Sequence, residues 1–210
     1  MTSQAPLEVF ETLRFERNTG HVRLELHLAR LTRSRRFFNL RLCENHLRQV
    51  LKDAAPDHAV RVRISVTENQ AIPKIAYFDL PGDKDLWRVA IHKDRVDETE
   101  IWRAHKTNRR EVPDVARVSL PAGIDEWIFL NTKREVCEGT ITNVFLRMSG
   151  QMFTPPLAAG ALPGILRQSL ITSGQAQERR ICEPDLKASQ NALLIGNSLR
   201  GLIPVTRVDM

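Results

Sequence analysis

The chain has 210 residues, 42% of them hydrophobic and 27% charged, as in ordinary globular proteins. It contains no uncharged apolar run of transmembrane length, and the N-terminal MTSQAPLEVFE lacks the basic and apolar parts of a secretory signal. The three cysteines have no metal-ligand spacing, which indicates reduced thiols in the cytoplasm and no metal site. The net charge of +6 is spread along the chain without an aromatic–basic pattern. It therefore favours arginines that bind an anionic small molecule over nucleic-acid binding.

An alternating pattern near the N-terminus predicts a strand over residues 7–17. Because side chains alternate across a strand, Phe10, Thr12 and Arg14 would share one face. The turn signal at 18–20 predicts that the chain returns as a second, short strand. A plain surface hairpin is the other interpretation of this segment.

Two helices are predicted next. Apolar residues at helical spacing indicate one helix from Leu24 to Phe38 and a second over 43–54 that ends before Pro56. Arg30 lies near the border of the apolar stripe of the first helix. A lone arginine in that place most often lies on the surface and covers apolar area with its stem.

The segments AVRVRISVTE and KIAYFDL predict two strands within residues 58–80. In the first, valine and isoleucine alternate with basic and small residues, a pattern typical of a half-buried strand. The polar turn at 81–84 is the best linker signal in the chain. It predicts two domains, 1–82 and 83–210, and the second would begin with the strand WRVAIHK.

A basic cluster, WRAHKTNRREV, follows that strand. It contains His105, Lys106, Arg109 and Arg110. By charge alone it indicates a solvated loop or an anion patch rather than a catalytic element. The next apolar segment, IDEWIFLNT, predicts a further strand.

The stretch 135–168 combines an acid, a strand and a helix start. Glu138 lies in a predicted Gly- and Thr-rich turn, and the alternating run after it predicts a strand. A Pro/Gly-rich passage then leads to an apolar pattern of helical period opened by Gly164. Because N–H groups at a helix start bind anions, this unit suggests a phosphorylated cofactor with a cationic ring.

The last segment, NALLIGNSLRGLIPVTRV, has two apolar runs around the polar turn 196–201. Such a turn between buried strands can present N–H groups and a hydroxyl to an anion. An ordinary hairpin connection is the other interpretation.

In this order, the segments FETLR, HLARL, HKT, EGTITNVF, TPPLAAGALPGILR and GNSLRGLIPV resemble the class IV aminotransferase family. These are the fold-type IV enzymes that use pyridoxal 5′-phosphate (PLP). The resemblance covers almost the whole chain. It implies a two-domain α/β (α+β) fold like that of D-amino-acid aminotransferase, and a homodimer with its site near the interface.

The resemblance also implies a role for each matching residue. Lys106 matches the lysine that forms a Schiff base with PLP, and Glu138 matches the carboxylate that faces the pyridine nitrogen. Arg30 matches the phosphate-binding arginine of the HxxRL segment. The other implied contacts to the cofactor are the backbone N–H groups of Ile165 and Leu166, and Ser198. The residues implied to border the substrate are Phe10, Thr12, Arg14 and Arg200.

Within the family, NSLRGLIPV is most similar to the aminodeoxychorismate lyases. This implies cleavage of 4-amino-4-deoxychorismate, a small molecule with an amine and carboxylates, to pyruvate and the folate precursor 4-aminobenzoate. One alternative is a transaminase of branched-chain or D-amino acids. Another is a basic binding protein on the same fold that has lost catalysis, and the presence of both Lys106 and Glu138 argues against it.

The chain departs from the family pattern at two places. Only a few residues precede FETLR, where the family has a further strand and turn. Pro113 stands where many relatives have a tyrosine. Both differences bear on the substrate more than on the cofactor.

Overall fold

The chain divides into two compact units, as seen in a computed structural model that describes residues 5–54, 56–68, 70–82, 84–188 and 192–208. The N-terminal unit comprises Met1–Gly82 together with His105–Arg109. The C-terminal unit comprises Asp83–Ala104 and Arg110–Met210. Asp83, within the predicted linker, lies outside the described residues. No helix in the described ranges is both long and apolar enough to cross a membrane.

The N-terminal unit is an antiparallel sheet with two helices, and the architecture is mixed α+β as predicted. The sheet has the strand order β2-β1-β3-β4. Its elements are β1 (Glu8–Glu16), β2 (Gly20–His21), α1 (Leu24–Phe37), α2 (Glu44–Asp53), β3 (Val60–Thr67) and β4 (Gln70–Asp79). All of these were predicted, β2 from the turn signal before it and the others from hydrophobic periodicity, with ends shifted by a few residues.

Both helices pack on one face of this sheet. Every second residue of β3, from Val60 to Val66, is buried against them, while the alternate residues are only half-buried. Leu31 of α1 and Leu47 of α2 are fully buried in the same apolar cluster. The other sheet face is therefore the polar one, as the alternation predicted.

Residues 105–109 add a short edge segment to this sheet. The N–H group of Phe10 donates to the carbonyl of Lys106 (3.0 Å), and Val9 pairs with Thr107 as an antiparallel bridge. Because neighbouring side chains alternate across a strand, Lys106 lies on the face of Phe10. His105 lies on the face covered by the helices, where it bonds to α1.

The C-terminal unit is built on one large sheet. Its strands are β5 (Trp87–Val96), β6 (Glu126–Asn131), β7 (Val136–Gly139), β8 (Asn143–Met148), β9 (Gln151–Thr154), β10 (Gln177–Glu178), β11 (Leu193–Asn197) and β12 (Gly201–Arg207). Its helices are α3 (Glu111–Val118), α4 (Ile165–Thr172) and α5 (Glu183–Ala188), with 3-10 turns at Ile101–Ala104 and Leu157–Ala159.

This sheet closes on itself. The strand order is β10-β9-β8-β11-β12-β5-β6-β7, and β7 pairs back to β8 through Glu138 and Asn143. All six residues of β6 are buried. A core of fully buried residues that includes Ile128, Val144 and Ile195 fills the interior. The closure brings Glu138 beside the first residue of β8.

One local prediction in this unit was wrong, and two helices were missed. Glu138 lies in β7 and not in a turn, because that strand is only four residues long and shows no apolar run. Helices α3 and α5 were not predicted, since charged residues interrupt their apolar pattern. Pro113 is the third residue of α3, where a helix tolerates proline because the N–H groups of its first turn have no partner within the helix.

Candidate functional site

The polar sheet face of the N-terminal unit carries Lys106. Its Nζ lies 4.8 Å from the centre of the Phe10 ring, and the guanidinium carbon of Arg63 lies 3.8 Å from the same ring. Thr12 is opposite Arg63 in the register of β1 and β3, and Arg14 is opposite Arg61. The structure thus places Phe10, Thr12 and Arg14, three of the four residues predicted to border the substrate, on the face that carries Lys106.

This face is strongly basic. Arg14 forms an ion pair with Glu16, and Arg63 donates to Glu8 at 2.7 Å. Arg61 lies over an aromatic ring of β4, at 4.6 Å from its centre. Three arginines and Lys106 therefore face two glutamates. Arg61 and Arg63 are among the basic residues that alternate with valine and isoleucine in β3. The sequence predicted only that they share one face of this strand, because their contacts depend on the neighbouring strands.

Arg30 lies on the opposite face of the sheet, between β1 and α1. It is 6% exposed, so the interpretation as a surface residue was wrong. Its Nε and Nη2 donate to the two carboxylate oxygens of Glu11 at 2.8 and 2.6 Å. Nδ1 of His27 lies 2.7 Å from the same carboxylate. These polar groups can be buried against α1 because they form hydrogen bonds with one another.

The pKa values within this cluster show where the charges lie. Burial raises the pKa of Glu11, but the Arg30 charge and the hydrogen bonds from His27 and Arg30 outweigh it and lower the pKa to about 2. Burial lowers the pKa of His27 despite its bond to Glu11. The cation that pairs with Glu11 is therefore Arg30, and His27 acts as a neutral donor at neutral pH.

His105 anchors the segment that carries Lys106. Its Nδ1 lies 2.9 Å from the hydroxyl oxygen of Ser34, and its ring stacks on Phe37 with 4.5 Å between centres. Burial, and then the charge of Arg33, lower the pKa of His105. The prediction of a solvated loop was thus wrong for this residue, which is 7% exposed.

In the C-terminal unit, a buried arginine holds Glu138. Nη2 of Arg103 donates to Oε1 of Glu138 at 3.1 Å, and the N–H group of Leu162 donates to Oε2 at 2.9 Å. Nε of Arg103 also donates to the carbonyl of Gly160 at 2.6 Å. Sequence reasoning missed Arg103, because one arginine in a basic cluster carries no sign that it is buried.

The start of α4 packs close to Glu138. Gly164 directly precedes the first residue of α4. It has no room for a side chain, because a Cβ there would lie 1.7 Å from Oδ1 of Asn143. Nδ2 of Asn143 donates to the carbonyl of Leu162 at 3.0 Å. Ile165 and Leu166 are the first two residues of the helix, so their N–H groups have no partner within it.

The turn between β11 and β12 lies beside the same helix start. A Cβ on Gly196 would lie 2.5 Å from the carbonyl oxygen of Gly201, so the strand pairing requires glycine here, and it would lie 2.8 Å from Cδ2 of Leu166. Oδ1 of Asn197 accepts the N–H groups of Leu199 and Arg200 at 3.1 and 3.0 Å, which defines the turn. Ser198 lies within it and is buried.

Arg200 extends from this turn toward the aromatic side chain that opens β5. Its guanidinium carbon lies 5.4 Å from the centre of the Trp87 ring. Within the C-terminal unit, the structure therefore brings Glu138, Ile165, Leu166 and Ser198 into one region. Arg200 lies at the end of that region nearest β5.

A family model described as Amino-transferase class IV matches residues 8–208. The chain belongs to this family. The family resemblance predicted from the sequence motifs is thereby confirmed, and the chain is an enzyme of this family. PLP is the cofactor of class IV aminotransferases.

Similar proteins extend over nearly the whole chain. A Thermotoga maritima protein, provisionally named branched-chain-amino-acid aminotransferase, is 29% identical over 96% of this chain and 77% of its own. The crystal structure of a provisionally named amino-acid aminotransferase from Mesorhizobium loti has 35% identity and a TM-score of 0.87, covering 96% of this chain and all of its own. These matches confirm the predicted fold class.

A third structure shares the fold alone. It is a provisionally named 4-amino-4-deoxychorismate lyase from Legionella pneumophila, with 22% identity and a TM-score of 0.83 over 95% of this chain and 82% of its own.

The C-terminal unit fits the cofactor of the family. The carboxylate of Glu138 is fixed by Arg103 and Leu162, which suits an acid that faces a ring nitrogen. Gly164 lets the start of α4 lie close to Asn143, and Gly196 lies beside Leu166 of the same helix. The N–H groups at a helix start bind phosphate. These residues would hold the two ends of PLP.

Glu11→Gln tests the buried cluster around Arg30. At neutral pH we expect the free energy of unfolding to fall by about 3–5 kcal/mol, because Arg30 is left as an uncompensated buried charge. The folded-state pKa of Glu11 lies below its unfolded value, so its contribution is complete above about pH 4.5 and is lost as the pH falls toward 2. The difference in free energy of unfolding between wild type and variant, called the gap below, should therefore narrow by about 3 kcal/mol over that pH range.

Urea unfolding of both proteins at several pH values measures this gap. The control is Glu25→Gln, which removes a largely exposed carboxylate paired with Arg48 and should cost less than about 1 kcal/mol. A gap for Glu11→Gln that is independent of pH would show that Glu11 is not ionised in the folded protein.

Arg103→Met tests the support of Glu138. Removal of the cation leaves the Glu138 carboxylate largely buried, so we expect a loss of about 3–5 kcal/mol in urea unfolding. Arg103→Lys should recover only part of it, because an ammonium lacks the planar fork that reaches both Glu138 and the Gly160 carbonyl. The control is Arg134→Met, which breaks an exposed pair with Glu183. Equal stability of Arg103→Lys and wild type would contradict a forked arrangement.

Proposed function

We propose that this protein is a PLP-dependent lyase that converts 4-amino-4-deoxychorismate to 4-aminobenzoate and pyruvate. The observation that carries the proposal is the basic sheet face that bears Lys106. Arg14, Arg61 and Arg63 lie on this face. A substrate with two carboxylates gives such arginines partners, through charge-assisted hydrogen bonds.

A branched-chain amino acid fits this face less well. Its side chain calls for an apolar pocket, and arginines facing such a pocket would be costly to desolvate. Of the two arginines first assigned to the substrate, Arg14 already pairs with Glu16 and Arg200 lies over Trp87. Arg63, which donates to Glu8, joins them as a third candidate because it lies beside the ring that Lys106 contacts.

The proposed cofactor contacts follow the family motifs. Lys106 would bond covalently to the cofactor, and Glu138 would face its ring nitrogen. Arg30, the N–H groups of Ile165 and Leu166, and Ser198 would bind its phosphate. Phe10, Thr12, Arg14 and Arg200 would border the substrate. When bound, PLP supplies a protonated ring that withdraws electrons from the substrate carbon that bears the amine.

Lys106 performs the proton transfers in this proposal. Its Nζ takes the proton from the carbon that bears the substrate amine, as a general base. The bond from the ring to the enolpyruvyl oxygen then breaks, and the resulting ammonium returns a proton to the departing group, which becomes pyruvate. Formation of the aromatic ring drives this elimination. Glu138, held by Arg103, would place a carboxylate opposite the ring nitrogen of the bound cofactor.

Transamination is the second candidate, and the names of relatives favour it. The proteins from Mesorhizobium loti and Thermotoga maritima, at 35% and 29% identity, both carry provisional aminotransferase names. The lyase-named protein from Legionella pneumophila shares 22% identity, a likeness of fold only. The lyase proposal therefore rests on the basic face and on the NSLRG turn, not on overall similarity.

The proposal includes a cellular setting. A lyase of this kind would supply 4-aminobenzoate for folate synthesis in the cytoplasm. By analogy with the family it would act as a homodimer. A basic binding protein without catalysis is the third reading, and it gives no reason for the chain to retain both Lys106 and Glu138.

Lys106→Ala should abolish covalent attachment of PLP and lower turnover by about 10²- to 10⁴-fold, the usual contribution of a general acid–base group. The measurements are the visible absorption band of the purified protein, its loss on borohydride treatment with modification of the lysine, and the rate of product formation. Lys74→Ala is the matched control, because Lys74 is exposed and stands in register with Ser65 on the same sheet face. Near-normal turnover in Lys106→Ala would overturn the assignment.

The choice of reaction is tested with one preparation and two substrates. We expect 4-aminobenzoate and pyruvate from 4-amino-4-deoxychorismate, and little keto acid from leucine or valine with an amino acceptor. Arg63→Met should raise the KM for the chorismate-derived substrate more than for leucine, since it removes a candidate carboxylate partner. Robust keto-acid formation without 4-aminobenzoate would overturn the lyase and leave the PLP enzyme standing.

A further inference from the structure

Glu126, the first residue of β6, is a completely buried carboxylate that the proposed mechanism does not use. Its Oε1 accepts the N–H group of Thr140 at 2.9 Å and also the hydroxyl of that residue. Its Oε2 accepts the N–H group of Ile141 and the hydroxyl of Thr142, both at 3.2 Å. These four donors lie in the loop between β7 and β8. Oε1 also accepts the N–H group of Trp127 at 3.1 Å and lies 3.5 Å from Nη1 of Arg117. Residues 139–142 are called the clamp loop here.

The clamp loop is shaped to receive this carboxylate. A Cβ on Gly139 would lie 2.9 Å from Cγ and Cδ of Glu126 and 2.4 Å from Oγ1 of Thr142. Glycine is therefore required for the carboxylate to come this close. The N–H group of Gly139 donates to the carbonyl of Thr142 at 2.7 Å, which closes the loop directly after Glu138.

The clamp loop in turn holds the turn between β11 and β12. The carbonyl of Ile141 accepts Nδ2 of Asn197 at 3.1 Å. Oδ1 of Asn197 accepts the N–H groups of Leu199 and Arg200. Ser198 directly precedes these two residues, and β12 directly follows them. A continuous path of hydrogen bonds thus runs from Glu126 through Ile141 and Asn197 to the turn.

We propose that Glu126 is a positioning residue that sets both ends of the cofactor site through the clamp loop. At one end the loop fixes the last residues of β7, which carry Glu138. At the other end it fixes the turn that carries Ser198. The inference rests on the proposed roles of Glu138 and Ser198 toward the ring and the phosphate, and it does not depend on which reaction the enzyme catalyses.

Glu126→Gln is the sharpest variant, because it keeps the size of the side chain. The amide oxygen can take over the position of Oε1, so Thr140 keeps its acceptor. The amide nitrogen then faces the two donors of Oε2. The hydroxyl of Thr142 can rotate and accept, but the N–H group of Ile141 cannot. The variant therefore removes one backbone bond, at the residue that connects the clamp loop to Asn197. It also removes the charge that pairs with Arg117, as Glu135→Gln removes the charge that pairs with Arg180.

Amide hydrogen exchange of the protein without cofactor tests the clamp. Loss of a bond to a charged group should raise the exchange rate of Ile141 by roughly 10- to 100-fold, with a smaller rise at Leu199 and Arg200. The control is Glu135→Gln, which alters another buried carboxylate in this unit, bonded to Asn131 and Arg180 instead of the clamp loop. Unchanged exchange at Ile141 in Glu126→Gln, or an equal rise in the control, would overturn the proposal.

Cofactor titration separates positioning from a purely structural role. In Glu126→Gln we expect roughly tenfold weaker binding of PLP, weaker competition by inorganic phosphate, and an altered visible absorption spectrum, while Glu135→Gln should match wild type. Faster exchange at Ile141 with unchanged affinity and spectrum would overturn the role toward the cofactor. Thr140→Val removes only a hydroxyl donor to Glu126 and should show the same changes with a smaller magnitude. This variant replaces Glu126→Gln in the test if Glu126→Gln does not fold.

The two proposals fail in different ways. Wild-type protein that does not bind PLP would overturn the proposed function, and the exchange rates would still decide whether Glu126 holds the clamp loop. Wild-type protein that binds PLP and forms 4-aminobenzoate, with Glu126→Gln indistinguishable from it in affinity and spectrum, would overturn the positioning role alone.

Discussion

A carboxylate removed from water needs hydrogen-bond donors on every side, and this requirement organises both units of the chain. In the N-terminal unit, Glu11 draws Arg30 and His27 of α1 onto β1. In the C-terminal unit, Glu126 collects the donors of the clamp loop and Glu138 is held by Arg103. In the C-terminal unit the clamp loop has few apolar residues, so these polar groups fix its conformation where packing alone would leave it undetermined.

The same requirement explains why the site combines regular strands with short irregular segments. Closely packed strands supply a rigid frame, while the clamp loop and the turn at Ser198 have little apolar area of their own. Hydrogen bonds of Asn197 fix the clamp loop and this turn, and a hydrogen bond from Asn143 fixes the passage before α4 at Leu162. Glycines at 139, 164 and 196 allow the close approaches that those bonds need.

Much of the fold could be predicted from hydrophobic periodicity. The period of β1 and β3 and the helical spacing in α1 and α2 are local properties of the sequence, and the elements formed where they were predicted. The strand that carries Glu138 was missed because four residues are too few to show a period. For the site, the family motifs pointed to Lys106 and Glu138 in sequence.

The groups that hold those motif residues could not be predicted in the same way. Arg103 and Glu138 are 35 positions apart, and Glu11 and Arg30 are 19 apart, so each pair exists only in the folded chain. A lone charged residue in a sequence looks like a surface residue, since most are. Such a residue can be recognised as buried only when its partner in the folded chain is known.

The grouping of residues 105–109 with the N-terminal unit has a consequence for how the protein is made. The ribosome synthesises residues 1–82 first, but the edge segment of that unit emerges only after another 22 residues that belong to the other unit. The entropy of closing that loop must be overcome before Lys106 reaches the side of Phe10. The nascent N-terminal unit therefore exposes an unpaired edge of β1 for a time, and a fragment ending at Gly82 would retain it permanently, with the tendency to aggregate that open strand edges bring.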